Sequence, residues 1–267
     1  MKTLVQRVKS LIKMVLWMGN GYLGRRFFLA DPDKLTVLIT YFDPARMLRI
    51  NHQLRNILKC NFVERVIISN HNPRVNIQEK IKIKDRRVRV ISQIVKRGCG
   101  FRWQIANEIK PSYLVVIDDD LFIFPEQLTR LFKSLLAEPE IPHGLSGMLC
   151  FPDGSYEFHD EENREVDFLC EIYAVTQKHL DRYMDIYADL SSNESVSKIV
   201  DSATDFIIIS QTGISRPKIH YVGRLYRDGS FKKEGVAVHK GHLFNEYMQQ
   251  TQDAIRIHQL ISAEIMD

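Results

Sequence analysis

The sequence is short of the features that would make it a membrane-spanning, metal-ribbon or fibrous protein. No stretch of about 18 uninterrupted apolar residues occurs in its 267 residues, so no spanning helix is expected. The first residues do not form a signal peptide, because basic residues interrupt the apolar stretch and no small-residue cleavage site follows. Four cysteines (Cys60, Cys99, Cys150 and Cys170) lie far apart without a Cys-x-x-Cys pair. That excludes zinc ribbons and thioredoxin-type motifs and favours free thiols in a reducing, cytoplasmic compartment. With 13 glycines and 9 prolines there is no low-complexity or collagen-like tract. Residues 1–30 contain no acid at all.

What that arm does contain is six Lys/Arg (Lys2, Arg7, Lys9, Lys13, Arg25, Arg26), which exceeds the net +4 of the whole chain. The body is therefore slightly acidic. Residues 4–18 have helical period, with Leu4, Val8, Leu11, Ile12, Val15 and Leu16 on one face. Such a basic amphipathic helix either docks on the domain or lies on an anionic membrane surface as a peripheral contact. Gly19-Asn20-Gly21-Tyr22-Leu23-Gly24 matches the dinucleotide fingerprint, but a helical segment precedes it where a strand is required. A loop ending the first helix is the expectation there.

The body alternates. Strands are expected at 35–41, 63–69, 88–95 and 113–117, and helices at 44–58, 101–110 and 125–137, the last opening with Pro125. This implies β-α-β units and a mainly parallel sheet with helices on both faces. Beyond residue 140 the pattern loosens. Strands at 145–150 and 168–175 flank a polar loop, and helices follow at 177–189, 197–211 and 241–262. The expected fold class is α/β, a single domain over 31–250. It has a nucleotide-binding half at 35–137 and an α+β half at 138–250, preceded by the arm and followed by a helix end at 251–267. Charge divides the same way. Residues 74–102 hold ten Lys/Arg against two acids, and residues 150–205 hold fourteen acids against four Lys/Arg.

The most specific feature is Asp118-Asp119-Asp120, directly after the buried run YLVVI. Three adjacent carboxylates repel one another, so something must offset the cost. They are either loop carboxylates before the helix at Pro125 or ligands of Mn²⁺ or Mg²⁺, which pair one or two carboxylates with substrate phosphates. Ligands of open α/β sheets bind outside the carboxyl ends of strands, where this triplet sits. Lys96, Arg97 and Arg102 around Gly98-Cys99-Gly100 supply a basic rim for an anion.

These residues resemble the nucleotide-diphospho-sugar glycosyltransferases of the GT-A fold, and among them the exostosin-like transferases. More distantly they are similar to the bacterial family of spore-coat and capsule transferases. The stretches are LTVLITYFDPARML at 35–48, VERVIISNHNP at 63–73, SYLVVIDDDLFIFPEQL at 112–128, whose DDD is a form of the DxD signature, and VDSATDFIIISQTG at 200–213. The resemblance implies that Thr40, Tyr41 and Arg46 border the nucleoside pocket. Asn70, Arg97 and Arg102 would contact base, ribose or phosphate, Asp118 and Asp119 would bind the donor, and Asp120 with Asp118 the metal. Asp201 would stand at the acceptor as a base or cation stabiliser, with Asp205 a second candidate. The family pattern has two adjacent acids where this chain has Val200-Asp201, and the pair 201/205 also reads as a polar helix cap. In His239-Lys240-Gly241-His242, one histidine would reach the metal and Lys240 the diphosphate.

The function expected is transfer of a sugar from a nucleotide-diphosphate donor to a glycan or lipid-linked acceptor. Nucleotidyl or phosphoryl transfer is the alternative enzyme class. It favours a glycine-rich loop after the first strand, where Tyr41-Phe42-Asp43-Pro44 stands instead. A non-enzymatic adaptor using its basic arm on membrane or nucleic acid is the remaining class, and no nucleic-acid partner is expected for the transferase.

Overall fold

The computed structural model describes residues 2–29, 33–228 and 243–266. Helix α1 (Lys2–Leu23) leads into strands β1 (Leu35–Tyr41), β2 (Val63–Asn70), β3 (Val88–Ser92) and β4 (Tyr113–Asp118), connected by α2 (Ile50–Ile57) and α3 (Phe101–Ile109). A short β5 (Leu121–Phe122) and α4 (Pro125–Ala137) follow. The second half carries β6 (His143–Gly144), β7 (Gly147–Cys150), β8 (Tyr156–His159), β9 (Arg164–Glu165), β10 (Phe168–Leu169) and β11 (Ile172–Thr176). It closes with α5 (Gln177–Leu190), α6 (Glu194–Ile199), a π-helical turn at Val200–Thr204, α7 (Asp205–Ser210), β12 (Lys218–Ile219), β13 (Tyr226–Arg227) and α8 (Phe244–Met266). This is the mixed α/β architecture expected.

The main sheet has the order β3-β2-β1-β4-β11-β6-β12-β9. β3, β2, β1 and β4 are parallel, and β11 runs antiparallel to β4. Period-two alternation splits the core between the faces. Val37, Ile39, Val115 and Ile117 pack with α2 and α4. Leu38, Leu114, Val116 and Val175 pack with Trp103 of α3 and Leu180 of α5. Chain order moves outward from β1 through β2 to β3 and then returns to the other side of β1 at β4. The switch point therefore lies between β1 and β4, where Thr40 pairs with Asp118.

Two local expectations are corrected. Helix α1 continues to Leu23, so Gly19–Leu23 is helix rather than loop. Gly21 permits this by close approach to α2, since a Cβ there would sit 3.1 Å from Arg55 Cβ, and Asn20 donates to Asn56 Oδ1 at 2.7 Å. Trp17 anchors the helix: it is fully buried, donates to Ile123 O at 3.0 Å and stacks on Phe122. Strand β3 stops at Ser92, because its partner β2 ends at Asn70, the residue paired with Ser92. All four cysteines are free, and no helix among the described residues is long and apolar enough to cross a membrane.

Candidate active site

At the switch point the aspartate triplet meets two arginines. Arg46, in the 3₁₀ turn Arg46–Arg49 after β1, reaches Asp119 at 2.5 Å and Asp120 at 2.9 Å. Arg102, on the first turn of α3, reaches Asp118 at 2.6 Å and Asp205 at 2.7 Å. Arg102 and Asp205 are 3% and 1% exposed, so this pair is sealed in the core. The indole N–H of Trp103 also donates to Asp205, at 2.7 Å, and the Cys99 thiol at 3.2 Å. A buried charge pair satisfied this fully ties the two halves of the domain together.

Asp118, Asp119, Asp120 and Asp205 set against two guanidinium groups leave a formal −2. Burial first, then mutual repulsion among the aspartates, pushes the Asp119 carboxyl up to about 6 and Asp120 up to about 8. Asp118 is raised in the same way, its burial countered by Arg102. A cation at this rim would relieve that repulsion. Hard oxygen donors at the rim fit Mg²⁺ or Mn²⁺, which need only one or two protein carboxylates beside phosphate oxygens and water. Among the described residues no three His, Cys, Asp or Glu side chains form a ready-made metal centre.

Glu171 was not visible in the sequence as a site residue. It holds a left-handed backbone, φ 62°, just before β11, and its carbonyl accepts the Asp118 N–H at 2.9 Å. Its carboxylate is forked onto Arg227 at 2.5 and 2.6 Å, accepts from Ser146 at 2.9 Å, and adds negative potential at Asp118 and Asp120. Arg227 also holds Asp160 of the polar loop at 2.7 Å. Next to it, the Asp228 N–H donates to Asp120 O at 2.8 Å and its carboxylate takes Arg49. A lone Glu before an apolar strand carries no spacing signal, whereas a left-handed non-glycine residue is a structural one.

The remaining candidates are placed as follows. Thr40 is half-buried beside Asp118. Tyr41 is fully buried, with its hydroxyl donating to Gln53 Oε1 at 2.5 Å, so its ring belongs to the α2 side of the core. Asn70 is buried and shapes the turn after β2, donating to Val75 O at 2.7 Å and accepting from Asn72 N–H. Arg97 is exposed, stacks over Phe101, and places positive charge near Asp201. Asp201, in the π-helical turn, is half-buried and accepts from the Tyr187 hydroxyl at 2.9 Å; burial raises its carboxyl. Asp205 is enclosed by Arg102, Trp103 and Cys99 instead of sharing an open face with Asp201. The backbone of this turn presses on Gly98-Cys99-Gly100: Gly100 N–H donates to Asp201 O at 2.9 Å, and a Cβ on Gly98 would collide with that same oxygen. His239, Lys240 and His242 lie outside the described residues.

No family model matches the chain, and no curated protein matches it in sequence. Among solved structures it is similar to GalNAc-T7, determined with UDP, GalNAc and Mn²⁺, at TM-score 0.53 and 10% identity. The likeness covers 73% of this chain and 44% of that one, so the chain spans less than half the length of that relative. It also matches CMP:2-keto-3-deoxy-manno-octonic acid synthetase complexed with CTP, at TM-score 0.43 and 13% identity over 58% of this chain and 78% of that one. The chain has a GT-A-like fold. At these identities the likeness extends to architecture and not to substrate.

Proposed function

We propose that the protein is a divalent-cation-dependent glycosyltransferase that moves a sugar from a nucleotide-diphosphate donor to a hydroxyl of a glycan or lipid-linked acceptor. The observation that carries this reading is the under-neutralised Asp118-Asp119-Asp120 triplet at the switch point of a GT-A-like sheet. Its exostosin-like sequence context, and a neighbour determined with UDP and Mn²⁺, support the same reading. In it, Asp118 and Asp120 would hold Mn²⁺ or Mg²⁺, whose positive charge would supply stabilisation for a departing diphosphate. Arg102 orients Asp118, and Arg46 holds Asp119 and Asp120. Thr40 and Arg97 border the donor. Asp205 positions Arg102 rather than meeting the acceptor, because it is sealed. Asp201 keeps the exposure needed to take the acceptor proton in an inverting reaction, or to stabilise the sugar cation in a retaining one. His239, His242 and Lys240 remain candidates for the metal and diphosphate.

The test is the melting temperature of wild type and Asp120→Ala against UDP and GDP, with and without Mn²⁺. A specific ligand at about 100 times its Kd stabilises the fold by about 2.7 kcal/mol. A Mn²⁺-dependent rise with one nucleotide, lost in Asp120→Ala together with donor hydrolysis, is expected. If Asp120→Ala leaves metal affinity, hydrolysis and transfer intact, the proposed mechanism is wrong.

A further inference from the structure

Among its described side chains, helix α1 is anchored on one side. Trp17 and Gly21 face the body, while Leu11, Ile12, Val15 and Leu16 are 54–62% exposed. Tyr22 and Leu23 in the last turn of the helix, and Phe28 beyond it, are exposed as well. These seven lie within 18 residues, whereas among the other described large exposed apolar side chains only Ile94 and Val95 are adjacent in the chain. Continuous apolar exposure of this kind marks an interaction surface.

The end of the same helix walls a cavity of about 1450 Å³, through Gly21, Tyr22 and Gly24. Its charged lining is mostly basic, with Arg26, Lys34, Arg55, Lys59, Lys84 and Arg86 among the cations and Glu64 and Asp85 the only acids. Asp85 is already paired with Arg87. Arg55 stacks over the Tyr22 ring at 4.3 Å, which joins the basic cavity to the apolar strip.

We infer that the outer face of α1 and this basic cavity form a docking surface for an anionic lipid membrane. The apolar strip would sit at the headgroup–acyl boundary and the cations against lipid phosphates and carboxylates, since burial and charge attraction add for such a helix. Charge selects this occupant. A second copy would bring two arms of six cations each face to face, and like charges across an interface are costly. No described helix is apolar enough to span, so the contact lies along the surface.

Co-sedimentation of the full chain with phosphatidylcholine vesicles, alone or with about a third phosphatidylserine, tests the inference. The protein is expected to pellet with the anionic vesicles only, and less so at high salt. Leu11→Glu with Leu16→Glu should abolish pelleting. Arg26→Gln with Arg86→Gln should weaken it about fivefold for each charge removed. All four positions are exposed, so unchanged melting temperature and an unchanged response to nucleotide establish that the variants fold. The inference fails if anionic vesicles do not bind the protein, or if neutral vesicles bind it equally. It also fails if sedimentation velocity shows a dimer that Leu11→Glu with Leu16→Glu dissolves while vesicle binding persists.

Discussion

The two halves of the domain build their shares of the site by different means. In the first, four parallel strands of five to eight residues bring Thr40 and Asp118 side by side through backbone pairing alone. In the second, strands of two to five residues leave placement to side chains, such as Glu171 on Arg227 and Arg227 on Asp160. A regular sheet supplies a rim wherever its order reverses, so donor-side geometry survives many sequence changes. An ionic network must be specified residue by residue. The halves meet through the β4–β11 pairing, and beside it at the Arg102–Asp205 pair and the tight approach of Gly98 and Gly100 to the π-helical turn.

Removing that junction should have the largest effect. Asp205→Ala leaves Arg102 and Trp103 without their buried acceptor, and a loss of about 3–5 kcal/mol is expected in urea unfolding. A loss below about 1 kcal/mol would mean that the β4–β11 pairing and apolar packing hold the halves without help from this pair. Acid should act next, and on both halves alike. His143 donates through Nε2 to Glu138 O at 3.0 Å, so in the neutral pair its Nδ1 accepts from His220 Nε2 at 2.8 Å, a bond that is lost once both rings are protonated. Burial first, then His143, pushes His220 from 6.5 down to about 4, and in the first half burial pushes His71 to about 4 as well. The folded state thus refuses protons that the unfolded chain takes below 6.5. Stability contributed by each histidine is complete above that pH and is lost as pH falls towards 4. His71 is buried and the His220 ring partly exposed, so a loss of about 2–3 kcal/mol is expected over that window, and His220→Gln should keep at least half the slope. The smallest effect belongs to the regular half. Lys110, exposed at the end of α3, has φ 50°, and Lys110→Gly should raise stability by about 0.5–1 kcal/mol in thermal melts.

Legibility followed the same division. LTVLITY and the helix opening at Pro125 were read with their observed bounds, because buried parallel strands and a proline at the first helical turn carry local signals. The stretch 93–95 looked like strand because it is apolar, yet Ile94 is 92% exposed: pairing partners, not composition, end a strand at a sheet edge. The helix expected at 197–211 is broken into α6, a π-helical turn and α7, where Asp201 and Val200 give their carbonyls to the glycine approach. The aspartate triplet and Arg102 were legible from their place after a strand and at the start of a helix. Glu171 and Arg227 were not, since they are joined across 56 residues by a fold no spacing encodes. On α1, Leu11, Ile12, Val15 and Leu16 of the expected apolar face point away from the body, and anchoring falls to Trp17 on another side.

That anchor has a spectroscopic consequence. The chain has two tryptophans, and each indole N–H is committed to one acceptor beside the site: Trp17 to Ile123 O, three positions past Asp120, and Trp103 to Asp205. Trp17 also stacks on Phe122, with ring centroids 4.5 Å apart. Intrinsic fluorescence of the native protein therefore comes from two emitters flanking the aspartate triplet, one on the arm side and one at the junction of the halves. Single Trp→Phe variants would separate them, giving a label-free optical readout of the rim and of the arm when nucleotide or anionic vesicles are added to test the two proposals.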